Sequence, residues 1–209
     1  MISAREALER LQEGNRRFVA ATPATDPFER HVRRSELLGG QEPFAVILGC
    51  SDSRVPVEIV FDLDLGDLFV IRVAGNVVAS SQIGSVEFAA SQFGTRLVVV
   101  LGHTQCGALS ATLDDLRRRG PASGTRGLRS IVDRIRPAVE ELVAADPGAD
   151  PEALMRRAVR ANVRASVRQL RYGSPLLEHL IEQDGLAVVG AEYSLESGEV
   201  TFLDEAPPA

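Results

Sequence analysis

The sequence predicts an α/β fold: a central, mostly parallel β-sheet flanked by helices, an antiparallel edge strand at the C-terminus and an N-terminal helical arm. Three observations predict it. Short apolar runs rich in Val and Ile recur at 44–48, 68–73, 97–101 and 186–191. They are continuous rather than alternating, the pattern of strands buried on both faces. Between them lie segments whose apolar residues recur at helical spacing, and strands that alternate with helices imply a parallel sheet. Near the end, Glu196-Ser197-Gly198 joins the run 186–191 to 199–203 as a hairpin, which turns the last strand antiparallel.

The elements follow in order. Residues 3–20 form an amphipathic helix: Ser3 and Glu6 fit a capping box, and Leu8, Leu11, Phe18 and Val19 fall on one stripe. A loop follows, then a short helix over 27–38 that Gly39 and Gly40 break. After the strand at 68–73, Ile83, Val86, Ala90 and Phe93 make a helical stripe with Gly94 as its stop. Leu128, Ile131, Val132, Ile135, Val139 and Leu142 make another, with Pro137 placed to kink it. Asp150 and Pro151 read as N-cap and first residue of a helix striped by Leu154, Val159, Val163, Val167 and Leu170. Ser174 and Pro175 repeat that signal before 176–181. The tail 205–209 is expected to fray. At 209 residues, and with about 150 residues to a typical domain, the expectation is a single domain over 1–209. Within it, 1–38 is the helical arm. Parallel-sheet packing gives the arm helix no set place, so it either covers a face of its own sheet or reaches onto a second subunit.

Composition narrows the function. All 23 basic residues are Arg and none is Lys, which excludes Schiff-base and P-loop lysine chemistry. A net charge of −6 argues against a nucleic-acid partner. No run approaches the roughly 20 apolar residues that cross a bilayer, and the start, MISAREALER, lacks the apolar core of a secretion signal. The expectation is a cytoplasmic protein without a membrane partner. It has only two Cys, Cys50 and Cys106, and three His, His31, His103 and His179. In that compartment two cysteines read as buried, thiolate or metal-bound rather than as a disulfide.

Two clusters stand out. Gly49-Cys50-Ser51-Asp52-Ser53-Arg54 follows the strand 44–48, and Gly102-His103-Thr104-Gln105-Cys106-Gly107 follows 97–101. Both occupy the carboxyl ends of strands, where open α/β sheets bind ligands. Cys50, Cys106, His103 and Asp52 together are a competent donor set for Zn2+. The spacing of His103 and Cys106 lets both reach one ion from a single turn, and a helix N-terminus beside Cys106 favours its thiolate. One buried cysteine alone would read as a small hydrophobe. The joint arrangement, which uses every cysteine in the chain, reads as a metal site. His31 and His179 fall in helical segments and read as solvated.

These motifs resemble those of the β-class carbonic anhydrases. The resemblance runs from about Glu6 to Val189. It is densest in Cys50-Ser51-Asp52-Ser53-Arg54 and His103-Thr104-Gln105-Cys106-Gly107, with support from Gly66-Asp67-Leu68-Phe69-Val70-Ile71-Arg72 and Ala74-Gly75-Asn76. It implies zinc as cofactor, held by Cys50, His103 and Cys106, with Asp52 and Arg54 as a catalytic dyad. It implies reversible hydration of carbon dioxide to bicarbonate. It also implies an obligate dimer, with dimer or tetramer as the final homo-oligomer, in which the N-terminal arm embraces a partner. The dyad has a physical reason. Two thiolates and a neutral imidazole already cancel the charge of zinc, and a carboxylate as fourth ligand would close the position that catalytic zinc must keep open. Arg54 can hold Asp52 off the metal by paired charge-assisted hydrogen bonds. Asp52 is then free to accept the hydrogen bond of a zinc-bound hydroxide. Two thiolates donate more charge than three imidazoles, so the bound-water pKa is expected above ~7 and activity should rise toward alkaline pH.

Further residues enter through the resemblance alone. Gln41 matches a glutamine that hydrogen-bonds substrate from across the dimer. Phe69 and Ala74 match the walls of an apolar substrate pocket. Phe88 stands where some members carry Tyr. Gly107 would offer its backbone N–H to bicarbonate. Val73 replaces an Asn common in the family's run. The chain has no Trp, which leans toward the subgroup with zinc open to water. Carbon disulfide and carbonyl sulfide hydrolases share these motifs, so the sequence leaves that substrate open, as it does a zinc-bearing regulatory module or a Cys50–Cys106 redox switch.

Overall fold

The computed structural model describes residues 2–22, 37–117 and 125–203. Five strands form one sheet: β1 (Ala45–Gly49), β2 (Leu68–Arg72), β3 (Leu97–His103), β4 (Ala187–Tyr193) and β5 (Val200–Phe202). Their order is β2-β1-β3-β4-β5. The first four run parallel, and β5 pairs antiparallel with β4. Every residue of β1 and β3 is buried, which is why these runs are continuously apolar. The register sets Gly49 level with Arg72 and with Leu101, so the ends of three strands come out side by side.

Alternate residues of the strands feed two cores. Ala45, Ile47 and Val99 face helix α1 (Ala4–Val19) and the single turn α2 (Val57–Val60). Val46, Leu48 and Val98 face α3 (Ser80–Gln92), α6 (Pro151–Tyr172) and α7 (Pro175–Gln183). A third core joins α4 (Gly107–Arg117), α5 (Arg126–Ala145) and α6 around Cys50 and Cys106. The expected start signals form: Ser3 Oγ accepts the Glu6 N–H at 3.2 Å, Asp150 accepts that of Ala153 at 2.8 Å and Ser174 that of Leu177 at 3.2 Å. Each satisfies one donor that the first helical turn leaves unpaired. Gly94 follows α3 at φ +60°, and Pro137 stands inside α5.

Helix α1 packs on its own sheet. Ala7, Leu8 and Leu11 are buried there. The backbone of α2 passes so close that a Cβ at Gly14 would stand 1.8 Å from the Phe61 carbonyl oxygen. Asn15 then bolts the helix in place. Its Nδ2 donates to the carbonyls of Val60 and Gly198, at 3.0 and 2.9 Å, and its Oδ1 accepts the Val200 N–H at 2.8 Å. Arg17 adds an ion pair to buried Asp62, 2.7 Å from Nε to Oδ2. Val19, expected on the buried stripe, is 43% exposed, while Phe18 beside it packs on the core.

The strands differ from expectation at their ends only. Each of β1, β3 and β4 extends two residues or fewer beyond the apolar run, because backbone pairing continues where side-chain hydrophobicity stops. Leu37–Gly39 is a turn of 3-10 helix, while the rest of the expected helix over 27–38, His31 and the tail 205–209 lie outside the described residues. Among the described residues no helix is long and apolar enough to cross a membrane.

Candidate metal centre

Cys50 follows the last residue of β1, and His103 is the last residue of its neighbour β3. The chain leaves β1 toward β2 on one side and leaves β3 toward β4 on the other. Between the two strands lies the switch point at which open α/β sheets form a crevice. From His103 the chain turns sharply into α4. Thr104 pins the turn to the end of β4: its N–H donates to the Tyr193 carbonyl at 3.0 Å, and its Oγ1 accepts the Leu195 N–H at 3.0 Å. Gln105 adopts φ +57°, a left-handed conformation costing a non-glycine residue about 1–2 kcal/mol. That turn sets Cys106 back beside His103 at the start of α4.

Cys50, His103 and Cys106 are all buried, and their donor atoms lie within 4.8 Å of one another. The two Sγ atoms are 4.0 Å apart. His103 Nδ1 is 2.9 Å from the Thr104 carbonyl, which makes it the protonated nitrogen and leaves Nε2 with a lone pair. That Nε2 is fully buried and, among the described residues, has no hydrogen-bond partner. An unmet buried nitrogen of this kind costs about 1–3 kcal/mol, and a cation between it and the two sulfurs would satisfy it. The thiols titrate as a pair: the hydrogen bond from Cys106 pulls Cys50 below the usual thiol range. Cys50 and burial push Cys106 up, against the Ala108 and Leu109 N–H groups at the start of α4. A divalent cation removes this conflict by displacing the shared proton. Soft thiolates with one imidazole suit zinc, so the donor set fits the expected ion.

Asp52 stands outside that cluster with both oxygens on Arg54. Its Oδ1 accepts the Arg54 backbone N–H at 3.0 Å and Nε at 2.9 Å, and its Oδ2 accepts Nη2 at 2.8 Å. The guanidinium holds the Asp52 carboxyl well below the usual carboxylate range, and Asp52 in turn raises Arg54. Oδ2 lies 3.9 Å from His103 Nε2, close beside the donor cluster but beyond hydrogen-bond reach. Arg54 also reaches the Gln105 carbonyl at 3.4 Å, so one side chain ties both loops. Arg72, at the end of β2, forks onto the Cys50 carbonyl from Nε at 3.0 Å and onto the Asp52 carbonyl from Nη2 at 2.6 Å. Arg72 closes the motif Gly66–Arg72, which by itself assigns it no task. The one available signal was its position at the end of a strand level with Gly49.

Comparison with known proteins identifies the family. The family model described as "Carbonic anhydrase" matches residues 45–200. Carbonic anhydrase 2 of Mycobacterium tuberculosis is 38% identical over 198 residues, 95% of this chain and 92% of that protein. The carbonic anhydrase of Mycolicibacterium smegmatis is 38% identical over 194 residues, 93% of this chain and 90% of that one. The chain belongs to the β-carbonic anhydrase family. Its fold agrees with solved β-carbonic anhydrases. That of Aspergillus fumigatus, CafA, superposes with a TM-score of 0.74 at 28% identity, covering 86% of this chain and 85% of that one. The Coccomyxa enzyme in complex with acetazolamide gives 0.73 at 27%, covering 95% and 86%.

The pocket residues expected from this family divide into two groups. Ala74 begins the 3-10 turn Ala74–Asn76, whose next residue donates its N–H to Cys50 Sγ at 3.4 Å. Gly107 follows Cys106 and opens α4, and nothing crowds its Cα. Both therefore border the donor cluster. Gln41, Phe69 and Phe88 do not. Gln41 lies before β1, at the opposite end of the strand from Cys50, and lines a cleft of about 600 Å³ with Phe44 and Phe93. Phe69, paired in register with Val46, stacks on Phe88 and Phe93 with ring centroids 6.1 and 6.0 Å apart. Phe88 is 51% exposed. His179 is exposed on α7, as expected.

Proposed function

We propose that Cys50, His103 and Cys106 hold the zinc ion with which this carbonic anhydrase interconverts carbon dioxide and bicarbonate, and that Asp52 serves the reaction as a partner of Arg54 rather than as a ligand. The observation that carries the assignment is the two-pronged Arg54–Asp52 pair beside an unpartnered, buried His103 Nε2. Bound zinc supplies a Lewis acid that lets water lose a proton near neutral pH. The chain does the positioning. Arg54 occupies both carboxylate oxygens, so Asp52 would stay off a metal held by Cys50, His103 and Cys106. Asp52 Oδ2 remains an acceptor for the O–H of the nucleophile and aims its lone pair at carbon, a gain in orientation rather than in acidity. Gly107 offers its backbone N–H to an oxygen of bicarbonate, and Ala74 keeps the approach apolar. Replacing Arg54 with Ala should leave the zinc content unchanged and lower carbon dioxide hydration on the order of 100-fold, the scale of losses that follow misplacement of a reacting group. An unchanged rate would remove Arg54 and the dyad from the mechanism.

The functional unit we infer is a homo-oligomer, a dimer or a tetramer built from dimers. Gln41, Phe69 and Phe88 form one surface with Phe93, remote from their own donor cluster. That surface closes the metal site of a second copy. A Sordaria macrospora β-carbonic anhydrase, one of two described as tetrameric, superposes with a TM-score of 0.74 at 25% identity over 85% of this chain and 90% of that one. The unit comprises 1–209 as one domain. The apolar face of α1 is committed to its own core, so the arm over 1–38 meets a partner through its outer face. The cytoplasm is the fitting compartment, because thiolates 4.0 Å apart stay available to zinc only where disulfides are kept reduced.

A further inference from the structure

Helix α6 carries two polar residues where its stripe should be apolar: Asn162 is 2% exposed and Ser166 is 4% exposed. They stand one turn apart on the face that meets the Ala74–Asn76 turn. Asn162 Nδ2 donates to the Gly75 carbonyl at 2.8 Å, and Ser166 Oγ donates to the Asn76 carbonyl at 3.0 Å. Leaving a buried side-chain amide without a hydrogen-bond partner is costly, and Asn162 finds its acceptor on a residue that itself touches the metal centre. Gly75 N–H donates to Cys50 Sγ at 3.4 Å. Gly75 has φ +69°, and a Cβ there would stand 2.8 Å from Ile135 Cδ1 and 3.1 Å from Ala108 Cβ. The residue is confined sterically on one side and by Asn162 on the other.

We propose that Asn162 is a positioning residue of the metal centre: by holding the Gly75 carbonyl it keeps Gly75 N–H aimed at Cys50 Sγ. This rests on the reading of Cys50 as a zinc ligand. The N–H takes up part of the charge on the sulfur and fixes the side-chain rotamer, so the thiolate meets the metal in one orientation. Ligands of a metal are commonly held by such outer partners, whose loss costs about 10–100-fold in metal affinity. Asn162 lies 87 residues from Gly75 in sequence, outside every motif that marks the site. Ser166 grips the neighbouring carbonyl and leaves Gly75 alone, so it serves as the control for simple loss of packing.

The test substitutes cadmium-113 for zinc and reads scalar couplings by NMR, with zinc affinity measured by chelator competition. In the unaltered protein, coupling from cadmium to the Cys50 β-protons and, across the hydrogen bond, to the Gly75 amide proton is expected. Asn162→Ala should abolish the amide coupling and weaken zinc binding on the order of 10-fold or more, while Ser166→Ala keeps both. Asn162→Ser, which retains a shorter donor, should give an intermediate affinity and covers the case in which Asn162→Ala does not fold. Absence of the Cys50 coupling in the unaltered protein would overturn the ligand assignment itself. Cys50 coupling present, with the Gly75 coupling and zinc affinity unchanged in the Asn162 variants, would overturn this proposal and leave Asn162 as a brace between α6 and the turn.

Discussion

Arg54 and Asp52 sit two residues apart, and the spacing makes the pair nearly self-assembling: the Arg54 backbone and side chain both reach one carboxylate. The depressed pKa of Asp52 has a clear sign. The carboxyl is ionised throughout neutral and alkaline pH, so a rise of activity in that range would have to come from a group other than Asp52. Gln105 shows a different residue-scale economy. Its positive φ returns the chain from His103 to Cys106 at a local cost. Gln105→Gly should therefore leave stability unchanged or raise it by ~1 kcal/mol, whereas Gln105→Val, β-branched at the same φ, should lower it by about 1–2 kcal/mol. Thermal unfolding of the zinc-loaded variants checks this, and a Val variant as stable as the Gly variant would contradict it.

Among the elements, α1 decides how the N-terminus is used. Its apolar stripe was legible, since Leu8 and Leu11 recur at helical spacing with a capping box in front. Its partner was not, because a stripe states how much surface must be buried and not against what. Two residues supply the answer. Gly14 lets α1 approach the Phe61 carbonyl, and Asn15 bonds Val60, Gly198 and Val200. Gly14→Ala would ordinarily help a helix by ~1 kcal/mol. Here the added methyl should cost a net of about 1–3 kcal/mol, as overpacking does, read as a lower urea midpoint. A more stable variant would mean that α1 does not pack on α2. The strands and the helix starts at Ser3, Asp150 and Ser174 were legible because apolar runs and caps are local signals. Cys50, His103 and Cys106 were legible as a set because each falls at a strand end or in the loop that follows one. Arg72, Thr104 and Asn162 were not, because their tasks are set by sheet register and helix packing across long sequence separations.

At the scale of the molecule, Gln41, Phe69 and Phe88 lie away from the donor cluster of their own chain. The proposed second copy would give them a metal site to serve, an expectation that the resemblance carries for Gln41 and that spacing alone does not. A mixed oligomer tests this. Gln41→Ala chains and Cys50→Ala chains should each be poorly active alone. When the two are co-expressed, mixed dimers pair an intact metal site with an intact Gln41, and hydration activity should reappear above the sum of the two. Activity no greater than the sum would assign Gln41 to its own chain or to no site.

In the proposed function, the cluster of two sulfurs and one imidazole binds zinc and hydrates carbon dioxide. Stopped-flow hydration from neutral to alkaline pH, on protein of measured zinc content, tests it most directly. Stoichiometric zinc is expected, with a rate that rises with pH because two thiolate ligands set the bound-water pKa above the ~7 of a three-histidine site. Stoichiometric zinc with no hydration at any pH would contradict the account.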